Sequence, residues 1–319
     1  MKFAMIGTGG IGGFYAARLL AAGHQVTLVA RGAQLQALTA SGLTLSHAGD
    51  TLHFAAPDCC DTGTLFSERN SADYDLIILA VKSAATATLA AQLQAWYERC
   101  GQAVPVISFQ NGVDNEQQLA ERLGSDYVLG ALLVGIGAHL TAPGHIESTG
   151  PGRVVLGAWP DKQQTSDGPA TALPGTLTAL FNAAGFPAEE SDDIRRELWR
   201  KLVLNNGVNP LSALTGLDTR RLTTGEPFEP VALGLMREAV AAARADGVEL
   251  EPDTAEQVLQ FMQGFDAIKT SMLVDKENGR PLEIDAISGA VLARATRLGI
   301  DVPYTRTIHS LLTLTQRAP

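Results

Sequence analysis

The chain has 319 residues, 45% of them hydrophobic, and its 24 basic residues stand against 34 acidic ones for a net charge of −10. That is ample apolar material for two domains, and an acidic balance without any run of Lys or Arg argues against nucleic acid or an anionic membrane as partner. No stretch approaches the roughly 20 apolar residues of a membrane span, and the opening MKFAMIGTGG has too short an apolar core for a secretory signal. Cys59, Cys60 and Cys100 lack metal-ligand spacing, so a metal-free protein in the reducing cytoplasm is expected.

In chain order, the first half alternates strand-like and helix-like segments: KFAMI, a helix through FYAARLLAA, QVTLVA, DLIILAV, a helix around TATLAAQLQAWYER, and VPVISF. This pattern predicts a parallel sheet wrapped by helices. YVLGALLVGIGAHL, GHIEST and RVVLGAW follow with short turns between them, which predicts antiparallel strands extending that sheet. The polar stretch PDKQQTSDGPATALPG predicts an exposed loop before one more helix, TLTALFNAAG. From about Asp192 the strands stop, and DDIRRELWRKLVLNN, EPVALGLMREAVAAARADG, DTAEQVLQFMQGF and IDAISGAVLARATRLG all carry the helical period. The expected fold class is α/β: a Rossmann-type doubly wound domain over residues 1–187, then an all-α domain over 188–319.

GTGGIG places Gly7, Gly9 and Gly12 in G-x-G-x-x-G spacing, after a strand and at the start of a helix. Gly7 allows the tight turn, Gly9 lets a pyrophosphate approach the backbone, and Gly12 lets helix and strand pack closely. Gly10, between them, is counted with the same cofactor loop. The free N–H groups of the helix start would receive the phosphates. The second strand ends in Arg31 rather than an acidic residue, and a guanidinium suits the 2′-phosphate of NADP(H) better than the bare ribose of NAD. Lys82 and Asn111 fall after two further strands, at the carboxyl ends where open α/β sheets bind ligands.

The segment ELWRKLVLNNGVNPLSAL is apolar on nearly every side, yet it carries Lys201, Asn205 and Asn209 at intervals of four. At about 100° per residue those three side chains fall on one stripe roughly 80° wide. With no broad solvent face beside it, the stripe needs partners or a ligand, because an unpaired buried amide costs on the order of 1 to 3 kcal/mol.

GTGGIG, VAR, VKS, QNG, GPGRVVLG, WRKLVLNNGVNPLSAL, SMLVDKENGRPLEID and SGAVLARA together resemble the ketopantoate reductases, over nearly the whole chain. The resemblance implies a fold like that of 6-phosphogluconate dehydrogenase, with the site in the cleft between the domains. It implies NADPH-dependent reduction of ketopantoate to (R)-pantoate in pantothenate biosynthesis. It further implies that Lys201 is the catalytic lysine, that Glu283 binds the substrate hydroxyl, that Asn205 and Asn209 contact the substrate, and that Ser271 helps hold its carboxylate. Arg31 and Lys82 would lie near the 2′-phosphate and Asn111 on the nicotinamide side. The sequence does not reveal the oligomeric state, and a homodimer is one assembly left open. The chemistry asks for the same residue types: hydride delivery to a ketone builds alkoxide character that an ammonium stabilises and protonates, and a nearby carboxylate such as Glu283 opposes loss of that charge.

Taken singly, these residues admit plainer roles. Lys201 could extend its ammonium to the surface, Asn209 could serve the backbone at Pro210, Ser271 could cap a short helix, and Glu283 could favour a helix start. At the level of the whole protein the alternatives are a reductase of another branched 2-keto acid and a non-catalytic NADPH sensor of the same fold.

Overall fold

The structure is a computed structural model that describes residues 1–160, 168–264 and 266–317. It divides into two compact units: one comprises Met1–Gln110 and Asn115–Ile194, the other Asn111–Asp114 and Arg195–Pro319. The composition change placed the division after residue 187, whereas the units divide between Ile194 and Arg195. The difference has a physical cause. A last strand, formed by residues 188–190, is hydrogen-bonded into the sheet of the first unit.

The first unit runs β1 (Lys2–Ile6), α1 (Gly10–Ala21), β2 (Gln25–Val29), α2 (Gly32–Ser41), β3 (Leu43–His47), β4 (Asp50–Phe54), β5 (Cys59–Cys60) and α3 (Thr62–Glu68). It continues through β6 (Leu76–Leu79), α4 (Thr86–Cys100), β7 (Val106–Ser108), α5 (Asn115–Leu123), β8 (Val128–Val134), β9 (Gly137–Ala142), β10 (His145–Thr149), β11 (Arg153–Ala158), α6 (Pro174–Ala183) and β12 (Ala188–Glu190). Eight of these strands form one sheet in the order β12-β11-β8-β7-β6-β1-β2-β5. From β5 to β8 all neighbours are parallel, β11 is antiparallel to β8, and β12 is parallel to β11. The inner strands are covered on both faces, with Phe3, Ala4, Met5 and Leu76 to Leu79 fully buried. Continuous apolar runs, rather than alternation, are what such strands require.

β9 and β10 depart from the expected extension of this sheet. They join β3 and β4 in a second sheet of order β4-β3-β10-β9. Its apolar face, with Leu43, Leu45, Ala138 and Ile146, is part of the same core as Phe14 of α1. The β3–β4 hairpin turns through Ala48 (φ 51°) and Gly49 (φ 89°), both left-handed as a two-residue type I′ turn demands. In the stretch 160–175, expected to be a loop, residues 161–167 lie outside the described residues. Pro169 to Ala172 form turns that lead into α6, and Ala170 among them is buried.

The second unit contains α7 (Ile194–Thr215), α8 (Thr219–Thr223), α9 (Glu229–Ala245), α10 (Thr254–Gln263), α11 (Ser271–Glu277), α12 (Ala290–Leu298) and α13 (Pro303–Arg317), and no strand among its described residues. One turn of π-helix, Asp285–Gly289, leads into α12. At the centre, Asn206 of α7 is fully buried and donates from Nδ2 to the Leu235 carbonyl of α9 (2.9 Å) and to Thr305 Oγ1 of α13 (3.1 Å). Asp246, after α9, accepts hydrogen bonds from Arg195, Arg294 and Arg297, so a single carboxylate ties α12 to the start of α7.

Candidate active site

β1 lies between β2 and β6, the point where strand order reverses and ligands enter open α/β sheets. Ile6, Val29 and Leu79 are in register across these three strands. The segments leaving them, with Gly7, Arg31 and Lys82, therefore emerge on the same carboxyl edge. Gly7 has φ +103°, and a Cβ there would stand 2.6 Å from Val81 Cγ1 and 2.8 Å from the Ala80 carbonyl carbon. At Gly12 a Cβ would collide with the Gly7 carbonyl oxygen. At Gly9 it would meet nothing within 4 Å. The motif thus has two glycines required by packing around one whose missing side chain leaves open space, the shape a pyrophosphate needs.

Gly9 is the N-cap of α1, with no side-chain cap hydrogen bond and no acidic residue in the first turn. The N–H groups of that turn are therefore left for an anion. Gly10 has a different local constraint from its neighbours: a Cβ there would strike the Ala138 carbonyl, so its missing side chain lets β9 approach α1. Arg31 is exposed and N-caps α2 without a side-chain capping bond. Lys82 is exposed and opens the short 3-10 turn Ser83–Ala85.

In the second unit α7 runs unbroken through Pro210 and carries Lys201, Asn205 and Asn209 along one stripe. Asn205 and Asn209 are 7% and 4% exposed, and neither side chain makes a hydrogen bond to any of the described residues. Asn206, on the neighbouring face, commits its Nδ2 to α9 and α13, while its Oδ1 is buried without a partner among the described residues. Burial pulls the Lys201 ammonium down to about 8, and the Glu283 carboxylate works against that shift by favouring the charged form.

Glu283 lies in the irregular segment before the π-helical turn, not inside the first turn of a helix, so favouring a helix dipole does not account for it. Its Oε2 accepts a hydrogen bond from Asn111 Nδ2 (3.1 Å), a residue 172 positions earlier. Ser271 is the exposed first residue of α11 and does not cap it; the N-cap is Thr270, whose Oγ1 accepts from Leu273 N (3.2 Å). Sequence reasoning missed the groups around Asn111. Asp114, three residues on, pairs with Arg294 (2.5 Å), whose guanidinium lies over the Trp199 ring. Only the QNG motif pointed toward this segment.

The arrangement provides a phosphate seat on one unit and an ammonium balanced by a carboxylate on the other. A dinucleotide-type glycine loop and a buried lysine in one chain are features of the Rossmann-type oxidoreductases. Models of the family described as "Ketopantoate reductase PanE/ApbA" and its C-terminal part match residues 3–161 and 193–316. The chain belongs to the ketopantoate reductase family. It is 32% identical to a 2-dehydropantoate 2-reductase of Mesorhizobium japonicum, over 99% of this chain and 97% of that one. It superposes on a PanE/ApbA family ketopantoate reductase from Ralstonia eutropha with a TM-score of 0.83 at 34% identity, covering 99% and 98% of the two chains. A 2-dehydropantoate 2-reductase structure from Methylococcus capsulatus gives 0.84 at 29% identity, covering 99% and 97%. Among the described residues no helix is long and apolar enough to cross a membrane.

Proposed function

We propose that this protein reduces 2-dehydropantoate to (R)-pantoate with NADPH, the sheet unit binding the cofactor and the helical unit the substrate. The observation that carries this reading is the α7 stripe. Two buried asparagine amides without side-chain partners among the described residues share a face with a lysine whose ammonium burial has brought to about 8. Buried amides are ordinarily satisfied, so a stripe of this kind suits a polar ligand.

The open space at Gly9 and the uncapped start of α1 fit a dinucleotide pyrophosphate. Gly7, Gly9 and Gly12 would shape that seat, Gly10 supplying a backbone N–H in the first turn, and Arg31 and Lys82 would hold the 2′-phosphate. When bound, NADPH supplies the hydride that adds to the keto carbon. Lys201 then gives its proton to the carbonyl oxygen as negative charge develops there. Glu283 keeps that ammonium charged before transfer and accepts from the substrate hydroxyl, while Asn111 would serve the nicotinamide side. Asn205, Asn209 and Ser271 bind the keto acid through neutral groups that do not repel its carboxylate.

The proposal includes a cytoplasmic setting, with which the free thiols of Cys59, Cys60 and Cys100 agree. It also includes a homodimer, to which Tyr304, Leu311 and Leu314, exposed on α13, offer apolar surface. Replacing Lys201 by Ala tests the mechanism. The expected result is a fall in kcat on the order of 100-fold or more with NADPH affinity retained. An unchanged kcat would remove Lys201 from the chemistry.

A further inference from the structure

The segment Asn111–Asp114 groups with the helical unit, while Gln110 before it and Asn115 after it belong to the sheet unit. It is a short strap with bonds at both ends of its span: Asn111 donates to Glu283 (3.1 Å), and Asp114 pairs with Arg294 (2.5 Å). The two feet of the strap converge on one hydroxyl. Thr86, the first residue of α4 and fully buried, donates from Oγ1 to Asn115 Oδ1 (2.8 Å) and accepts from Gln110 Nε2 (2.9 Å). Gln110 and Asn115 are themselves 5% and 2% exposed. A hydroxyl offers one donor and two acceptor sites, so Thr86 can serve both feet at once. An apolar replacement of the same shape cannot serve either.

We propose that Thr86 is a positioning residue of the reductase: by closing the base of the strap it holds the Asn111 amide on the Glu283 carboxylate, and so holds that carboxylate where it acts on Lys201. This rests on the catalytic reading of Lys201 and Glu283 above. The strap is short, so opening its base releases Asn111 into alternative backbone conformations. Glu283 then loses the donor that fixes its direction. Thr86 needs no contact with substrate or cofactor for this effect. Misplacement of a supporting group by about 1 Å is enough to cost on the order of 100-fold in rate.

The test compares Thr86→Val, which keeps the shape and removes the hydroxyl, with Thr86→Ser, which keeps the hydroxyl. Three quantities are measured in the full-length protein: kcat with ketopantoate, NADPH affinity, and the pH midpoint of Lys201 acetylation by trace acetic anhydride, read by peptide mass spectrometry. For Thr86→Val, kcat is expected to fall on the order of 10- to 100-fold, with NADPH affinity unchanged. Its Lys201 midpoint is expected below that of the parent, because the opposing field of Glu283 has weakened, and Thr86→Ser is expected to restore both. A parent-like kcat and midpoint in Thr86→Val would overturn the proposal, as would a loss that Thr86→Ser does not rescue. If Thr86→Val does not fold, Gln110→Met opens one foot alone, with the same expected midpoint shift and the same contradiction if none occurs. A parent protein that fails to turn over ketopantoate sinks the functional reading instead, and the acetylation midpoint still decides the role of Thr86.

Discussion

In the proposed mechanism Lys201 combines a catalytic benefit with a cost in stability, and both come from the same burial. Its folded value of about 8 lies below the ordinary 10.5, so between those limits the unfolded chain binds more protons than the folded one. Stability contributed at this site therefore rises with pH through that window, and the penalty is fully present below about pH 8. Lys201→Met fills similar space without charge. At pH 7 it is expected to be inactive yet more stable than the parent by on the order of 1 to 3 kcal/mol, the gain shrinking as pH rises toward 10. Urea unfolding at pH 7 and pH 9.5 measures this. A variant no more stable than the parent at pH 7 would show that the ammonium is not held against desolvation. The stripe that carries Lys201 was legible in the sequence because helical spacing is local, and the buried amides at Asn205 and Asn209 bear it out. The link from Asn111 to Glu283 was not legible, since the two residues are 172 positions apart and only the fold brings them together.

Among the elements, those whose signals are local were the ones foreseen. β1, α1, β2 and β6 follow from apolar runs, a glycine-marked start and a glycine-marked end. The second sheet escaped notice because β10 pairs in parallel with β3 about a hundred residues earlier, a contact that no turn between them announces. The last helix, α13, shows the same limit. Its first-turn N–H groups are received by Glu238 of α9, whose Oε1 accepts from Tyr304 N (2.8 Å) and Oε2 from Thr305 N (2.7 Å), 66 and 67 positions away. Glu238 is only 8% exposed, so replacing it by Ala leaves two N–H groups without their acceptor in a nearly closed setting. The expected loss is about 2 to 3 kcal/mol in urea unfolding, with hydrogen exchange accelerated in α13 ahead of α9. A loss under about 0.5 kcal/mol would mean that α13 is held by its apolar face alone.

At the scale of the whole molecule the chain forms two compact units, between which the proposed mechanism divides the chemistry. The sheet unit has a helix start shaped by glycine, and the helical unit has an ammonium kept charged by a carboxylate. The composition change foresaw this division but placed it at residue 187, because the strand at 188–190 is too short and too polar to read as part of the sheet. Substrate identity belongs to this scale, since in the proposed mechanism it depends on the full set Lys201, Asn205, Asn209, Ser271 and Glu283 acting on one molecule. The most direct measurement is the initial rate of NADPH oxidation by the purified protein with ketopantoate, pyruvate and 2-oxoisovalerate offered separately at equal concentration. Ketopantoate, whose hydroxyl the other two lack, is expected to give the highest kcat/KM by a factor on the order of 100 or more, as a site built to hydrogen-bond a hydroxyl requires. Equal turnover of the three, or none with ketopantoate, would contradict the assignment.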